Sequence, residues 1–192
     1  MARPKSFDPA EVLQGAAELF QAKGYEAASI QDLVDHLGVN RQSLYNEFGD
    51  KASLYQAALQ TYRNDSLGPI ASCLSHTKPI RKAFRDLFTF GMERALSPKV
   101  EPCFIAKAAL DTNAHDPVIQ QCIRGQFEDV LALMENRLKL SQDEGEIGLH
   151  HDPRALARFF QNALQGLQIT ARAGTPRAEL EGVIRVTLSV MG

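Results

Sequence analysis

Residues Ser29–Lys51 read SIQDLVDHLGVNRQSLYNEFGDK, and this stretch decides the fold. Ser29 suits a helix N-cap with Asp32 three residues on, because a short side-chain oxygen takes up an amide hydrogen that the first turn leaves unpaired. Ile30, Leu33, Val34 and Leu37 then recur on one helical face, and Gly38 is the residue past the end that turns left-handed at little cost. Val39 plugs the corner, Asn40 caps a second helix from Arg41, and Leu44 and Phe48 face inward. Gly49-Asp50 ends that helix and caps the next from Lys51. Two short helices joined by a tight glycine turn form a helix-turn-helix, whose second helix is shaped to enter a major groove.

The groove-facing set follows by subtraction. With Leu44 and Phe48 committed to the core, Arg41, Gln42, Ser43, Tyr45 and Asn46 are left outward, with Asn40 at the helix start. The chemistry suits a duplex: Arg donates twice to a guanine edge, Gln pairs with adenine N6 and N7, and Ser, Tyr and helix-terminal N–H groups reach phosphates.

Outward from this stretch the chain reads as helix almost throughout, with no sustained period-two alternation, so the fold class is all-α. Asp8-Pro9 opens a helix that carries Leu13, Ala16, Ala17 and Phe20 on one face and stops at Gly24. Asp116-Pro117, Asp152-Pro153 and Thr175-Pro176 repeat that start signal. Between them the stripe Ile80, Ala83, Phe84, Leu87, Phe88, Met92 marks another helix, and a further one is expected from near Pro102 to near Thr112. The expected layout is a three-helix helix-turn-helix domain over residues 1–50, joined by the Lys51 helix to a larger helical bundle over residues 51–192.

The charge balance offers no shortcut to a nucleic-acid partner. The 192 residues carry 21 Lys+Arg against 23 Asp+Glu, a net charge of −2, and residues 1–63 hold six basic against eight acidic side chains. Position matters instead: Arg3, Lys5, Arg41 and Lys51 lie on the N-terminal arm, the recognition helix and the next helix start. There is no apolar run of secretory or membrane-spanning length, so the expected location is the cytoplasm. Cys73, Cys103 and Cys122 lack CxxC spacing, which argues against a disulfide framework or a zinc site. His115, His150 and His151 read as linker histidines, the last two pointing to different sides, and no metal or cofactor is expected.

At residues 7–62 the sequence resembles the TetR family of transcriptional repressors, named for the tetracycline repressor. The matching residues are Ala17-Glu18-Leu19-Phe20, Gly24-Tyr25, Ser29-Ile30, Leu37-Gly38-Val39, Ser43-Leu44-Tyr45, Phe48, Lys51 and Leu54. The resemblance implies a homodimer that binds a palindromic double-stranded operator and lets go when a small molecule enters the C-terminal domain. Carried over by position, Ser29, Tyr45 and Lys51 would touch phosphates, Arg41 and Gln42 would read bases, and Arg3 and Lys5 would form a minor-groove arm. Many members have His before the Phe, whereas Asn46-Glu47 precedes Phe48 here. Glu47 is therefore expected to face away from DNA.

The C-terminal helices supply the remaining candidates. Phe84, Phe88, Met92, Cys103, Phe104, Phe127, Leu131, Met134 and Phe159 are the candidate effector pocket, though aromatic and Met stripes are by default core. Phe160, Ala163, Leu164, Leu167 and Ala171, with Leu180, Val183, Ile184, Thr187 and Leu188, are more apolar than one helix pair hides, which fits a four-helix interface with a second copy. Two alternatives stand beside the ligand-released regulator. One is a thiol-based redox or electrophile sensor using Cys103, placed in a first helical turn with Lys107 one turn on. The other is a helical protein-interaction module that does not bind DNA. An enzyme is not expected: there is no phosphate-cradling glycine loop, no HExxH and no nucleophile with a matched base, so no catalytic residue is assigned.

Overall fold

In the computed structural model, residues 7–101, 103–111 and 116–192 are described, and among them every regular element is helical. The order is α1 (Pro9–Lys23), α2 (Ile30–Leu37), α3 (Arg41–Phe48), α4 (Lys51–Cys73), α5 (Ile80–Leu96), α6 (Phe104–Ala108), α7 (Pro117–Asp143), α8 (Pro153–Arg172) and α9 (Arg177–Leu188), followed by a 3-10 turn at Ser189–Met191. The expectations on Arg3, Lys5, Pro102, Thr112 and His115 fall outside the described residues.

The caps explain the helix starts. Asp8 accepts from the Ala10 amide at 2.9 Å, and Asp152 accepts from Arg154 at 2.9 Å. Asp116 accepts from Val118 and Ile119 at 2.8 and 3.2 Å, so the Asp-Pro signal works three times. Thr175-Pro176 behaves differently: Pro176 is itself the N-cap, without a side-chain cap bond, and α9 begins at Arg177. The helix expected from Pro102 to Thr112 is only Phe104–Ala108. Its shortness has a physical cause, because Asp111 is drawn away to accept from the Tyr25 amide and the Tyr55 hydroxyl.

The described residues form two units whose boundaries fall inside α4 and α7: Met1–Ser66 with Glu101–Gln126, and Leu67–Val100 with Phe127–Gly192. The first unit buries Val12, Ala16 and Phe20 of α1, Leu33, Leu44, and Leu54, Tyr55, Ala58 and Leu59 of α4. Tyr55 sits at its centre, with Phe20 and Tyr25 at 4.9 Å and Phe104 at 5.5 Å between ring centroids, the edge-on and tilted arrangements that aromatic quadrupoles favour.

The second unit packs α5, α8 and α9 around Phe84, Phe88 and Phe160, with Phe84 and Phe160 4.6 Å apart. A buried Arg137 ties its end together. It donates to the Lys78 carbonyl at 2.6 Å and to the Ser141 hydroxyl, with Glu144 and Glu146 within 3.7 Å.

Candidate nucleic-acid interface

The corner is built by its caps. Ser29 Oγ accepts from the Asp32 amide at 3.0 Å while Asp32 accepts from the Ser29 amide at 2.9 Å, a complete capping box. Gly38 turns at φ +64°, the left-handed geometry that a side chain makes costly, and donates its N–H to Val34. Asn40 Oδ1 then accepts from the Ser43 amide at 2.8 Å and starts α3. Leu44 at 2% exposure pins the inner face of α3, which fixes the outer face.

That outer face holds the expected residues. Asn40, Arg41, Gln42, Tyr45 and Asn46 are exposed, whereas Ser43 is half-buried, and so is Glu47. Gln42 Nε2 donates to Asn46 Oδ1 at 2.8 Å, so the Gln42 amide is held in one orientation before any partner arrives. At the start of α4, Asp50 accepts from the Ser53 amide at 2.8 Å, and Lys51 Nζ lies 4.3 Å from the centre of the Tyr25 ring.

One side chain is busier than the sequence implied. Ser29 Oγ also donates to Asp32 Oδ2 at 2.7 Å, and Lys23 closes on Asp32 at 2.6 Å. Lys23, then Ser29, hold the Asp32 carboxyl well below the usual carboxylate range. The hydroxyl expected to meet a phosphate therefore stands beside a carboxylate that Lys23 neutralises.

Behind this surface lies a set of contacts that sequence reasoning missed. Lys107 Nζ donates to the Gln21 and Ala22 carbonyls at 2.8 and 2.7 Å, capping the end of α1 from α6. Burial, and then the Asp111 carboxylate that its hydroxyl meets, push the Tyr55 phenol well above its usual value. These partners lie 56 to 86 residues apart, so no local pattern announces them.

The other expected sets are redistributed. Phe84, Phe88, Met92, Leu131 and Met134 are fully buried in the core of the second unit, and Phe127 is half-buried. Phe104 belongs instead to the first unit, against Tyr55 and Tyr62. Cys103, half-exposed, is the N-cap residue of α6, and the Lys107 ammonium expected to serve it is the one on the α1 carbonyls. Phe159 is 43% exposed.

Among the residues assigned to pairing, Phe160, Leu164, Leu167, Ala171, Leu180, Ile184, Thr187 and Leu188 are buried within their own unit, because α5 packs against both α8 and α9. Val183 is exposed and Ala163 half-exposed. The His150 and His151 rings lie 4.1 Å apart, tilted by 39° to each other, rather than pointing apart.

A glycine-cornered pair of short helices with a polar, exposed second helix and helix-start donors beside it defines the helix-turn-helix class of DNA-reading protein. The chain belongs to the tetR family of bacterial regulatory proteins. Residues 12–58 match the family described as "Bacterial regulatory proteins, tetR family", and residues 80–187 match "Tetracyclin repressor-like, C-terminal domain". It is 32% identical to the uncharacterized HTH-type transcriptional regulator YezE of Bacillus subtilis, over the full length of both chains. It is 30% identical to the HTH-type transcriptional repressor ComR of Escherichia coli, over 97% of this chain and 90% of that one. Among solved structures it is similar to the TetR family regulator CifR, a cysteine-substituted form complexed with a 26-base-pair operator, at a TM-score of 0.87 and 25% identity over all of both chains. No helix among the described residues is long and apolar enough to cross a membrane.

Proposed function

We propose that this regulator is a cytoplasmic repressor that binds a palindromic operator as a homodimer and is released by a small-molecule effector. The observation that carries the reading is the outer face of α3, where Arg41, Gln42, Tyr45 and Asn46 are exposed together while Leu44 locks the helix from behind. In this reading residues 1–50 read DNA and residues 51–192 dimerise and respond. Arg41 and Gln42 meet base edges; Ser29, Ser43, Tyr45 and Lys51, with the α3 and α4 amino ends, meet phosphates. The repressor ComR and the operator-bound CifR support repression and operator binding by similarity.

Dimerisation rests on the side chains the second unit leaves uncovered. Phe159 and Ile169 on α8, with Val183, Val186 and Val190 on and after α9, are large apolar groups exposed by 37 to 72%. A four-helix contact through this strip would set two recognition helices about 34–36 Å apart, one turn of the duplex.

Retardation of the DNA upstream of its own gene tests the reading, followed by genome-wide selection of bound fragments. A specific, palindromic shifted fragment is expected; no retention of any fragment would favour the protein-interaction alternative. The thiol-sensing alternative rests on half-exposed Cys103, and it is excluded if Cys103→Ser loses operator binding on oxidation just as the parent chain does.

A further inference from the structure

Helix α3 has one ridge that stands furthest from the core. Successive residues turn by about 100° around a helix, so Gln42 and Asn46, one turn apart, lie about 200° from the ridge of Leu44 and Phe48. Leu44 is buried and Phe48 half-buried, while Gln42 and Asn46 are both exposed. Arg41 and Tyr45 stand to one side of this crest, Ser43 and Glu47 to the other. With Leu44 seating the inner face, the crest is the part of α3 that reaches deepest into a groove, where the base edges are.

The two crest side chains are joined. Gln42 Nε2 donates to Asn46 Oδ1 at 2.8 Å. An exposed glutamine amide that turns end over end offers either its oxygen or its nitrogen at one place, and so takes either kind of base edge. With Asn46 Oδ1 as the acceptor, the Gln42 nitrogen is held on the Asn46 side and the oxygen away from it. What remains on Gln42 is an acceptor oxygen beside one N–H. Adenine is the base that presents a donor and an acceptor side by side in the major groove, at N6 and N7, whereas guanine presents two acceptors and would need two donors.

We infer that Gln42 and Asn46 read one A·T base pair as a unit. Gln42 Oε1 accepts from adenine N6, its remaining N–H donates to N7, and Asn46 is a positioning residue that keeps the amide from turning over. No charge takes part, which fits a chain with six basic against eight acidic residues up to position 63. The inference rests on the operator-binding reading and names the base that this face of α3 selects.

Selection of bound fragments from a pool of randomised duplexes, with the full chain, tests it. Retention of no duplex by the parent chain would overturn the regulator reading and this one together. A retained motif should hold adenine at one position in each half-site, with at least about tenfold discrimination against guanine there, as one bidentate contact supplies. Gln42→Ala identifies that position by removing its preference. Asn46→Ala should lower the discrimination at the same position to about threefold or less and leave the other positions as they were. Asn46→Asp keeps an acceptor for Gln42 Nε2, so it should keep the adenine preference while its charge weakens binding to all sequences alike. Position 46 is exposed, so both variants should keep the helical spectrum of the parent chain. A motif without adenine at the Gln42 position, unchanged discrimination there in Asn46→Ala, an effect of Asn46→Ala only at another position, or loss of the preference in Asn46→Asp would each overturn the inference and leave the regulator reading standing.

Discussion

Asp32 is asked to do three things at once. It closes the capping box with Ser29, accepts from the Ser29 hydroxyl and receives Lys23, which is why its carboxyl titrates so low. Its folded pKa lies below the unfolded value of about 3.9, so the stability it adds is complete above that value. It is lost as pH falls through the folded value. Acid unfolding followed by circular dichroism should therefore be flatter below about pH 4 in Asp32→Asn than in the parent chain, and identical slopes would show that Lys23 and Ser29 do not hold the ionised form. On the neighbouring helix, the Gln42–Asn46 hydrogen bond fixes which edge Gln42 presents. Gln42→Ala should change base preference at one operator position by ~1–3 kcal/mol, whereas Lys51→Ala should weaken all sequences alike and reduce the salt slope by about 1. Binding to a set of operators with single base changes separates the two.

Among the elements, legibility follows the range of the interactions that make them. The corner from Ser29 to Asp50 was readable because its caps, its glycine and its apolar face all act within four residues. The Asp-Pro starts were readable for the same reason, and Thr175-Pro176 marks a start as well, with the proline itself as the cap residue. The shortness of α6 was not readable. Its five residues are held by Lys107 on the carbonyls that α1 leaves unpaired, by Phe104 on Tyr55 and by the Asp111 turn that follows. None of those partners is near in sequence. Lys107→Met should therefore destabilise the first unit by ~1.5–3 kcal/mol, the range for a charge-assisted hydrogen bond, as measured by urea unfolding. A loss confined to a few tenths would mean that Phe104 packing alone seats α6. Whether an apolar stripe lines a site was not legible for a related reason: Phe and Met at helical spacing state only that a face is apolar, and Phe84 and Phe88 pack there against Phe160.

For the whole molecule, the near-neutral charge and the exposed α8–α9 strip make one argument. Asp8, Asp32 and Asp50 are taken up at helix starts, and Asp32 also by Lys23, so several acids are locally occupied without making the surface basic. With six basic against eight acidic residues up to position 63, one reading head is expected to release few counterions and to hold DNA weakly. In the proposed dimer, tight binding would depend on joining two heads, because the second half-site is met at high effective concentration. Val186 is 72% and Ile169 68% exposed, so placing a carboxylate at either position leaves the core intact and buries an unpaired charge only if a second copy covers the strip. Val186→Asp should keep its helical spectrum, fall to the monomer mass in sedimentation at micromolar concentration, and lose operator affinity by about 10²-fold or more. Ile184→Asp serves as the contrast, because Ile184 is 5% exposed within its own core and its variant should unfold instead of dissociating. A folded Val186→Asp chain that keeps both the dimer mass and the operator affinity would place the joining surface elsewhere.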